Sequence, residues 1–537
     1  MSAIGGVVIE DGDLEDHLEA FLAALEHPNT ERIGIHTGTN HQHASTREQL
    51  ELEGLEARWA IVHVAGPAPE PGDQPVQDAG RRLVATIEDS AAASTLLAGE
   101  EDPEPPTDRL ARRLADALAD HEEIGSALQD LSGELDHVSA LAAATADGVA
   151  IMRDAQGAVP LYAGRQASFA AFATSKRPLW ALDMATQRIK PDTLVLLQPS
   201  RSQTIHLPRR APNPVPDDED RRTQAHADAF TAAVRRRVEG LDRVGFMATH
   251  PATAAAMACA LAETPTDQVA AYVPDRANRK LNEAVDRSVA PHADEVHHVA
   301  LEPWALEDRL RDLMGALEAR NQGLVADAIP PYLLSRAAAL DDISVLLADR
   351  GPTEPHAHEA LEVSEDRSTE GSHELPLGAE GPLERARKLA RDAGVTLRAP
   401  RADPDVVAFE SPEPERSRTD RLTALARHLG ADPVEAPPVV ETENRDLQEL
   451  LADAAETLDL PDIPDAYDAA ASLGQGAQGA AAPGRAVVAM DDPQHVDLRL
   501  QWALDHLGLD AGALSPEEHQ RLDRYLEDVQ LPAPAGT

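Results

Sequence analysis

The sequence predicts an α/β protein built in two successive parts, on three observations. Residues 1–205 carry short runs of apolar and β-branched residues, several separated by Gly and Pro clusters, which is typical of strands. After a proline-rich and then acidic linker at 208–224, strand-like runs alternate with helix-length patterns, which indicates a parallel sheet covered by helices. The third observation is Arg243–Glu263, which has the pattern of a strand, a tight loop and a helix.

The first part is predicted to be mostly β, with helices between some of the strands. The predicted strands are Ile4–Ile9, Arg58–Val64, Arg82–Ile87, Gly148–Met152, Phe169–Ala173 and Thr193–Leu197. The predicted helices are Leu14–Leu25, Arg109–Ala119 and Leu135–Ala142. Residues 67–77 and 99–107 are rich in proline and are expected to be loops.

The second part is organised around Arg243–Glu263. Val244–Ala248 is apolar and of strand length, and the alanine-rich Ala252–Leu261 favours a helix. Pro251 suits the first turn of that helix, because its missing N–H costs little there. A strand that runs into a loop at a helix N-terminus is a common place for nucleotide phosphates. The stretch therefore predicts the scaffold of a phosphate site.

Strands and helices are predicted to alternate around this stretch. The predicted helices are Ala225–Val238, Ala252–Glu263, Arg276–Val289, Ala305–Ala319 and Pro331–Leu340, and the further strands are Gln268–Val273, Glu295–Leu301 and Ile343–Ala348. Residues 351–382 are polar and acidic and are predicted to form a flexible insert. A mainly helical stretch to about 460, a flexible Gly-Ala segment at 472–484 and amphipathic helices around 498–507 and 516–529 are expected to follow.

The formal net charge of -46 is spread along the whole chain, and lysine occurs only at positions 176, 190, 280 and 388. A dense carboxylate surface is typical of cytoplasmic proteins from salt-accumulating microbes, and it argues against nucleic acid or an anionic membrane as a partner. Cys259 is the only cysteine, so no intrachain disulfide is expected. No stretch approaches the ~20 apolar residues of a membrane span, and no secretory signal is expected.

Histidines cluster at three places in the sequence, and none of these has the Cys or Glu partners of a specific zinc motif. Histidines 297 and 298 are neighbours on a predicted strand, so they are expected to point to opposite faces. Solvated loop histidines are the default interpretation, and no metal site is predicted. The clusters are His36, His41 and His43; His297 and His298; His356 and His358.

A family resemblance covers most of the chain. Arg153–Tyr162, RDAQGAVPLY, resembles the RDPLGIKPLYY stretch of glutamine-dependent asparagine synthetases, and Phe172–Ser175 stands where that family has its FASE-like strand. The resemblance implies an antiparallel α/β sandwich of the N-terminal-nucleophile type, followed by a parallel-sheet, Rossmann-like domain of the adenine-nucleotide-hydrolase type. The family reaction hydrolyses glutamine, adenylates aspartate with ATP and Mg²⁺, and passes ammonia between the two sites.

The implied domains follow the change of pattern along the chain. An amidotransferase-like domain spans 1–207, a linker 208–224, and an ATP-pyrophosphatase-like domain 225–350. That domain resumes at 383–480 after the insert 351–382, and a helical tail covers 481–537.

In the amidotransferase-like part, Ser2 takes the place of the family's cysteine nucleophile, and Arg58 fits the arginine that holds the glutamine carboxylate. A serine hydroxyl is a much weaker nucleophile than a thiolate. The family's NGE motif, which supplies oxyanion and substrate contacts, aligns with Ile87, Glu88 and Asp89. These replacements predict a glutaminase that has lost its activity, with Ser2 as a solvent-facing residue.

In the synthetase-like part the scaffold is retained and its chemistry is largely replaced. Ala248, Thr249, His250 and Ala252 stand where the family's phosphate loop has its serine, its glycines and its metal-binding aspartate, and Thr353 replaces a second such aspartate. The lysines expected in the stretch at 466–479 are also absent. The positions that fit the family are Val244, Gly245 and Met247 in the first loop, Gly351 and Glu354 in the second, and Arg398, Pro400 and Asp403 on the substrate side.

Three functions remain open on the sequence. The preferred hypothesis is a diverged relative that keeps the architecture and has lost most or all catalysis, because ATP and Mg²⁺ are implied only by the resemblance and the Mg²⁺ ligands are absent. An active synthetase with replaced catalytic groups and a purely structural interaction protein are the alternatives. Glutamine, aspartate or ATP are the expected ligands, and a second copy or an active synthetase is the expected protein partner.

Overall fold

The structure is a computed structural model of the chain. It describes residues 2–10, 13–55, 57–66, 73–78, 84–88, 106–121, 123–132, 135, 138–146, 148–166, 168–198, 202–207, 215–275, 279–301, 309–318, 322–349, 381–410 and 418–431. Residues 351–380 of the predicted insert, the Gly-Ala segment and the C-terminal helices lie outside these ranges, and the last two residues of the insert begin the helix Pro382–Ala393 as its N-cap and first residue.

Two antiparallel sheets are formed by the described residues of the first part. The seven-stranded sheet has the order β11-β9-β10-β1-β4-β2-β3, and the six-stranded sheet has the order β13-β12-β8-β7-β6-β5. The strands are β1 (Ala3–Ile9), β2 (Arg32–His36), β3 (His41–Ala44), β4 (Trp59–Ala65), β5 (Val76–Gln77), β6 (Val84–Glu88), β7 (Ala140–Thr145), β8 (Gly148–Arg153), β9 (Tyr162–Arg165), β10 (Phe169–Ala173), β11 (Gln187–Arg188), β12 (Thr193–Leu197) and β13 (Ser202–His206).

The two sheets pack face to face, with helices on the outside. Ile4 and Val8 of β1 meet Ile151 of β8 and Val195 of β12 in the core between the sheets. The opposite face of the seven-stranded sheet is covered by α1, and the opposite face of the six-stranded sheet by α2 and α3. The helices of this part are α1 (Leu14–Leu25), α2 (Pro106–Asp120), α3 (Ile124–Leu131) and α4 (Arg177–Trp180).

The second part contains a five-stranded parallel sheet of order β16-β15-β14-β17-β18. Helices pack on both faces, which explains why its central strands are apolar on both sides. The strands are β14 (Arg243–Met247), β15 (Gln268–Asp275), β16 (Glu295–Ala300), β17 (Val345–Leu347) and β18 (Thr396–Arg398). The helices are α5 (Glu219–Val238), α6 (Pro251–Ala262), α7 (Arg279–Val289), α8 (Leu310–Leu317), α9 (Gln322–Leu340), α10 (Pro382–Ala393), α11 (Pro404–Glu410) and α12 (Arg418–His428).

Helix α6 is buried around its circumference from Pro251 to Leu261. Its alanines allow α5, α7 and α12 to approach closely, so the helix belongs to the core and not to an amphipathic surface layer. Pro251 occupies the first turn, as predicted.

The fold confirms a mixed α/β protein with antiparallel sheets followed by a parallel sheet. Three predicted elements differ from the structure. The helix expected at Leu135–Ala142 overlaps β7, which lies between β6 and β8. The stretch from 383, predicted to be mainly helical, contains β18, and the loop predicted at 67–77 ends in β5. The linker predicted to reach 224 overlaps α5, which begins at Glu219. The strands that were not predicted are β2, β3, β5, β9, β11, β13 and β18. Among the described residues, no helix combines the length and the apolar character needed to cross a membrane.

Candidate functional site

The parallel sheet has a topological switch point between β14 and β17. The helix that follows β14, α6, packs on one face, and the next described helix after β17, α10, packs on the other. In open α/β sheets, ligands bind outside the carboxyl ends of the strands at such a point. The predicted phosphate loop, Ala248–Thr253, lies there at the start of α6.

A carboxylate of the protein itself occupies this switch point. Asp349 follows β17, and its Oδ2 accepts hydrogen bonds from the backbone N–H of Thr249, at 2.7 Å, and from the Thr249 hydroxyl. Thr249 directly precedes His250, the N-cap of α6, so the carboxylate lies in the loop that was predicted to hold phosphate. Asp349 is only 3% exposed, and its other oxygen, Oδ1, has no hydrogen-bond partner among the described residues.

The predicted nucleotide-loop residues are buried as part of the sheet. Val244, Met247 and Ala248 are at most 2% exposed, and the Ala248 N–H donates to the Tyr272 carbonyl at 2.9 Å. A Cβ on Gly245 would lie about 3.0 Å from side-chain atoms of Leu346 and Tyr272. These residues therefore shape the strand, and their side chains offer no hydrogen-bond donor to a ligand.

The predicted substrate-binding pair, Arg398 and Asp403, is brought together near the C-terminal end of α5. Asp403 is fully buried and accepts hydrogen bonds from Arg236, at 2.7 Å, and from Arg237, at 2.8 Å. Arg398 donates to the Arg237 carbonyl at 2.6 Å. Both side chains thus make contacts that fix α5 against the sheet edge.

Arg401, which the sequence did not single out, connects this cluster to the switch point. It is 3% exposed and donates to the Asp349 carbonyl at 2.9 Å. The carboxyl edge of the sheet is consequently held by arginine side chains that bind the Asp403 carboxylate and the backbone carbonyls of Arg237 and Asp349.

The structure does not bring Ser2 and Arg58 together. Ser2 precedes β1 and Arg58 precedes its antiparallel neighbour β4, and the Ile9 N–H at the far end of β1 donates to the Arg58 carbonyl. Seven residues of strand separate Ser2 from Ile9, so the two sites lie roughly 20 Å apart at ~3.3 Å per residue. Ser2 is 2% exposed, which corrects the expectation of a solvent-facing serine.

The remaining predicted positions of the amidotransferase-like and synthetase-like sites are only partly described. Ile87 and Glu88 belong to β6 and pair with Leu141 and Ala140 of β7. Asp89, Gly351, Thr353 and Glu354 lie outside the described residues.

The RDAQGAVPLY motif has a structural role at the junction of the two parts. The Arg153 guanidinium is fully buried and donates to the carbonyls of Val159, at 2.8 Å, Ile189, at 2.6 Å, and Gly157, at 2.9 Å. It also forms an ion pair with Glu384 of α10 in the second part. The motif therefore builds its own turn and binds the parallel-sheet region through one arginine.

Helix α10 carries a row of charged residues into this junction. Glu384, Lys388 and Arg391 are spaced so that they share one helix face. The Lys388 ammonium pairs with the Glu318 carboxylate, which also accepts the backbone N–H groups of Lys176, at 2.9 Å, and Arg177, at 3.1 Å.

The third member of this face reaches towards the strand that begins after Ser2. Arg391 donates to the Thr174 hydroxyl at 3.3 Å, and the Thr174 N–H donates to the Ile4 carbonyl in β1 at 3.0 Å. Sequence reasoning singled out the Arg153–Tyr162 motif but missed the face of α10 that binds it, because charged residues on one face of a helix usually mark the solvent side.

One sequence signal could have found the junction. Two of the four lysines in the chain, Lys176 and Lys388, place their ammonium groups over the ring of Tyr162, at 5.5 and 4.8 Å from its centroid. A chain that otherwise uses arginine for positive charge retains lysine where a compact cation contacts an aromatic ring.

Burial at the junction also changes the ionisation of a neighbouring carboxyl group. Desolvation raises the pKa of Asp154 to about 7, against the opposing effect of Arg153 and Arg387. The Asp154 carboxylate accepts the Ala158 N–H at 3.2 Å inside the same turn. This turn is therefore sensitive to pH in a way that surface carboxylates are not.

Comparison with known proteins gives fold likenesses at low similarity. No protein-family profile matches the chain, and no curated protein sequence matches it. A structure of glutamine phosphoribosylpyrophosphate amidotransferase from B. subtilis, complexed with ADP and GMP, is similar at a TM-score of 0.34 and 11% identity, over 55% of this chain and 90% of that one.

A structure described as the allosteric regulatory enzyme of purine biosynthesis is similar at a TM-score of 0.34 and 13% identity, over 56% of this chain and 80% of that one. At these TM-scores the likenesses contribute nothing to the assignment of the site, which rests on the contacts above.

Proposed function

We propose that this chain is a relative of the glutamine-dependent asparagine synthetases that has lost ATP-dependent chemistry and acts by binding a protein partner. The observation that carries the proposal is the Asp349 carboxylate on the N–H and hydroxyl of Thr249. A protein that fills its own phosphate position with a carboxylate is poorly suited to hold a nucleotide there.

Repulsion between the Asp349 carboxylate and a bound phosphate would oppose nucleotide binding at this loop. Two like unit charges about 4 Å apart repel by about 4 kcal/mol at the effective dielectric constant near a protein surface. The helix N-terminus offers an exposed anion only ~0.3–1 kcal/mol in return. A triphosphate would have to displace or approach Asp349 at a buried position, without the two aspartates that the family uses to place Mg²⁺.

The other predicted ligand positions support a binding role over catalysis. Ser2 is buried, and Asp403 and Arg398 form hydrogen bonds with residues of α5. The junction of the two parts, in contrast, is dense in buried ion pairs. The architecture is therefore maintained while small-molecule sites are filled from within, which favours an association with a second copy or with an active synthetase.

One observation favours a second candidate, an active synthetase with replaced groups. Asp349 Oδ1 has no hydrogen-bond partner among the described residues, and a buried carboxylate oxygen is a ligand that Mg²⁺ accepts. In that case Asp349 would replace the lost aspartates, and catalysis would depend on it.

Pyrophosphate release separates the two candidates. Purified protein in molar KCl is given ATP, Mg²⁺ and aspartate, with either ammonia or glutamine, and the Asp349→Asn variant serves as the matched control. We expect no aspartate-dependent release from either protein. Release that is lost in Asp349→Asn would establish the active synthetase.

The binding role is tested by sedimentation in molar KCl, alone and mixed with an active asparagine synthetase. We expect a self-associated or mixed species at micromolar concentration. A monomer in both experiments would contradict the partner-binding role, even if the enzyme assay is negative.

A further inference from the structure

The hairpin of β2 and β3 gathers histidines on one face of the seven-stranded sheet. His36 pairs directly with His41 across the hairpin, and His43 follows two residues later on β3. Because side chains alternate along a strand, His41 and His43 point to the same face. Both are exposed, so a solute can reach them. These histidines belong to strands, which corrects the expectation that they lie in loops.

The two exposed rings have the spacing of two ligands on one metal ion. Their centroids are 4.4 Å apart. A metal bonded to an imidazole nitrogen at ~2.0–2.1 Å lies about 3.2 Å from the ring centroid, so two imidazoles bound at about 90° to each other around one ion have centroids about 4.5 Å apart. We propose that His41 and His43 form a two-point chelate for a divalent transition metal.

His36 supports the pair without being a ligand. Its Nδ1 accepts the Gly38 N–H at 2.9 Å, and its ring stacks on His41 with centroids 4.8 Å apart. The stack holds the His41 ring in orientation.

The identity of the ion follows from the donors. Imidazole suits Zn²⁺, Ni²⁺ and Cu²⁺, and affinity rises to Cu²⁺ in the usual order. In the part of the chain that the structure describes, no group of three or more His, Cys, Asp or Glu side chains is arranged to hold a metal, so water completes the coordination. The net charge of -46 raises the local concentration of divalent cations.

Electron paramagnetic resonance during a Cu²⁺ titration tests the proposal. The parent carries His356→Ala and His358→Ala, because that pair has the same His-x-His spacing. His41→Gln and His43→Gln are the test variants. His298→Gln is the matched control, because His298 is a strand histidine whose neighbour His297 points to the opposite face.

We expect the parent to bind one Cu²⁺ through two nitrogens, and each test variant to bind it at least about tenfold more weakly. The His298 control should leave both the spectrum and the affinity unchanged. A parent spectrum without two nitrogen ligands, or equal affinity in His43→Gln and the parent, would overturn the proposal. The nitrogen count is measured on the folded parent, so the test stands even if a variant folds poorly.

Discussion

Replacing Glu384 with glutamine isolates the buried charge at the junction of the two parts. The substitution keeps the size of the side chain, so it creates almost no cavity. Glu384 is paired with Arg153, and the two side chains are 2% and 0% exposed. Its second oxygen meets Arg188, which is 17% exposed.

Removing one partner of a buried pair typically costs about 3–5 kcal/mol, because the other charge is left uncompensated. Arg153 would still have the carbonyls of Val159, Ile189 and Gly157 as acceptors. We therefore expect a loss near the lower limit, about 3 kcal/mol, which is a large fraction of the ~5–15 kcal/mol that stabilises an ordinary domain.

Urea unfolding at fixed molar KCl, followed by tryptophan fluorescence, measures this loss as a change in the free energy of unfolding. Glu283→Gln is the control, because Glu283 also pairs with an arginine, Arg279, but at 50% and 90% exposure on the surface of α7. An exposed pair of this spacing contributes only about 0.3–0.5 kcal/mol. If Glu384→Gln cost no more than the control, the junction would not depend on this ion pair and our reasoning would fail.

Three further substitutions test other parts of the structure. Asp154→Asn should gain stability relative to wild type as the pH rises from about 4 to 7. Burial raises the Asp154 pKa from 3.8 to about 7, so the wild type loses the favourable protonated form of its folded state over that interval. Unfolding midpoints of the two proteins across this pH range measure the difference. Gly34→Ala should lower stability by about 1–3 kcal/mol in urea, because the added Cβ would lie 1.8 Å from the Gln74 carbonyl oxygen, and equal midpoints would refute this. Asp349→Gly should bind inorganic phosphate weakly where wild type does not, because it frees the Thr249 N–H; calorimetry in KCl would show no difference if Asp349 does not block the site.

The sequence predicted the architecture where local pattern and packing agree. Phe169–Ala173 and Thr193–Leu197 were predicted as strands and are β10 and β12, because their apolar runs fit buried strands. The alternation of strand-like and helical patterns after residue 225 predicted the parallel sheet, because each local pattern agrees with the packing of its element. Strands such as Arg32–His36 and His41–Ala44 escaped prediction because glycine and histidine interrupt their apolar pattern.

At Leu135–Ala142, packing in the sheet overrides the local propensity for a helix. Its alanines favour a helix in isolation. In the fold, Ala140–Ala144 is fully buried in the centre of the six-stranded sheet, where small side chains allow β7 to lie between two other layers of the core. Pairing with both β6 and β8 satisfies every backbone position from Ala140 to Ala144, which a short helix at this position could not do.

The contacts of the candidate site are harder to predict from sequence than its secondary structure. The order of strand, proline and helix was predicted correctly, but the carboxylate that contacts the intervening loop, Asp349, is 100 residues further along the chain. The resemblance placed Asp349 in the stretch aligned with the family's second phosphate loop, but it gave this residue no role. Asp349 and Thr249 meet only because β17 lies beside β14, and strand order is decided by packing across the whole sheet. A sequence can therefore indicate which positions differ from a family pattern, whereas the contact between Asp349 and Thr249 becomes visible only when the order of the strands is known.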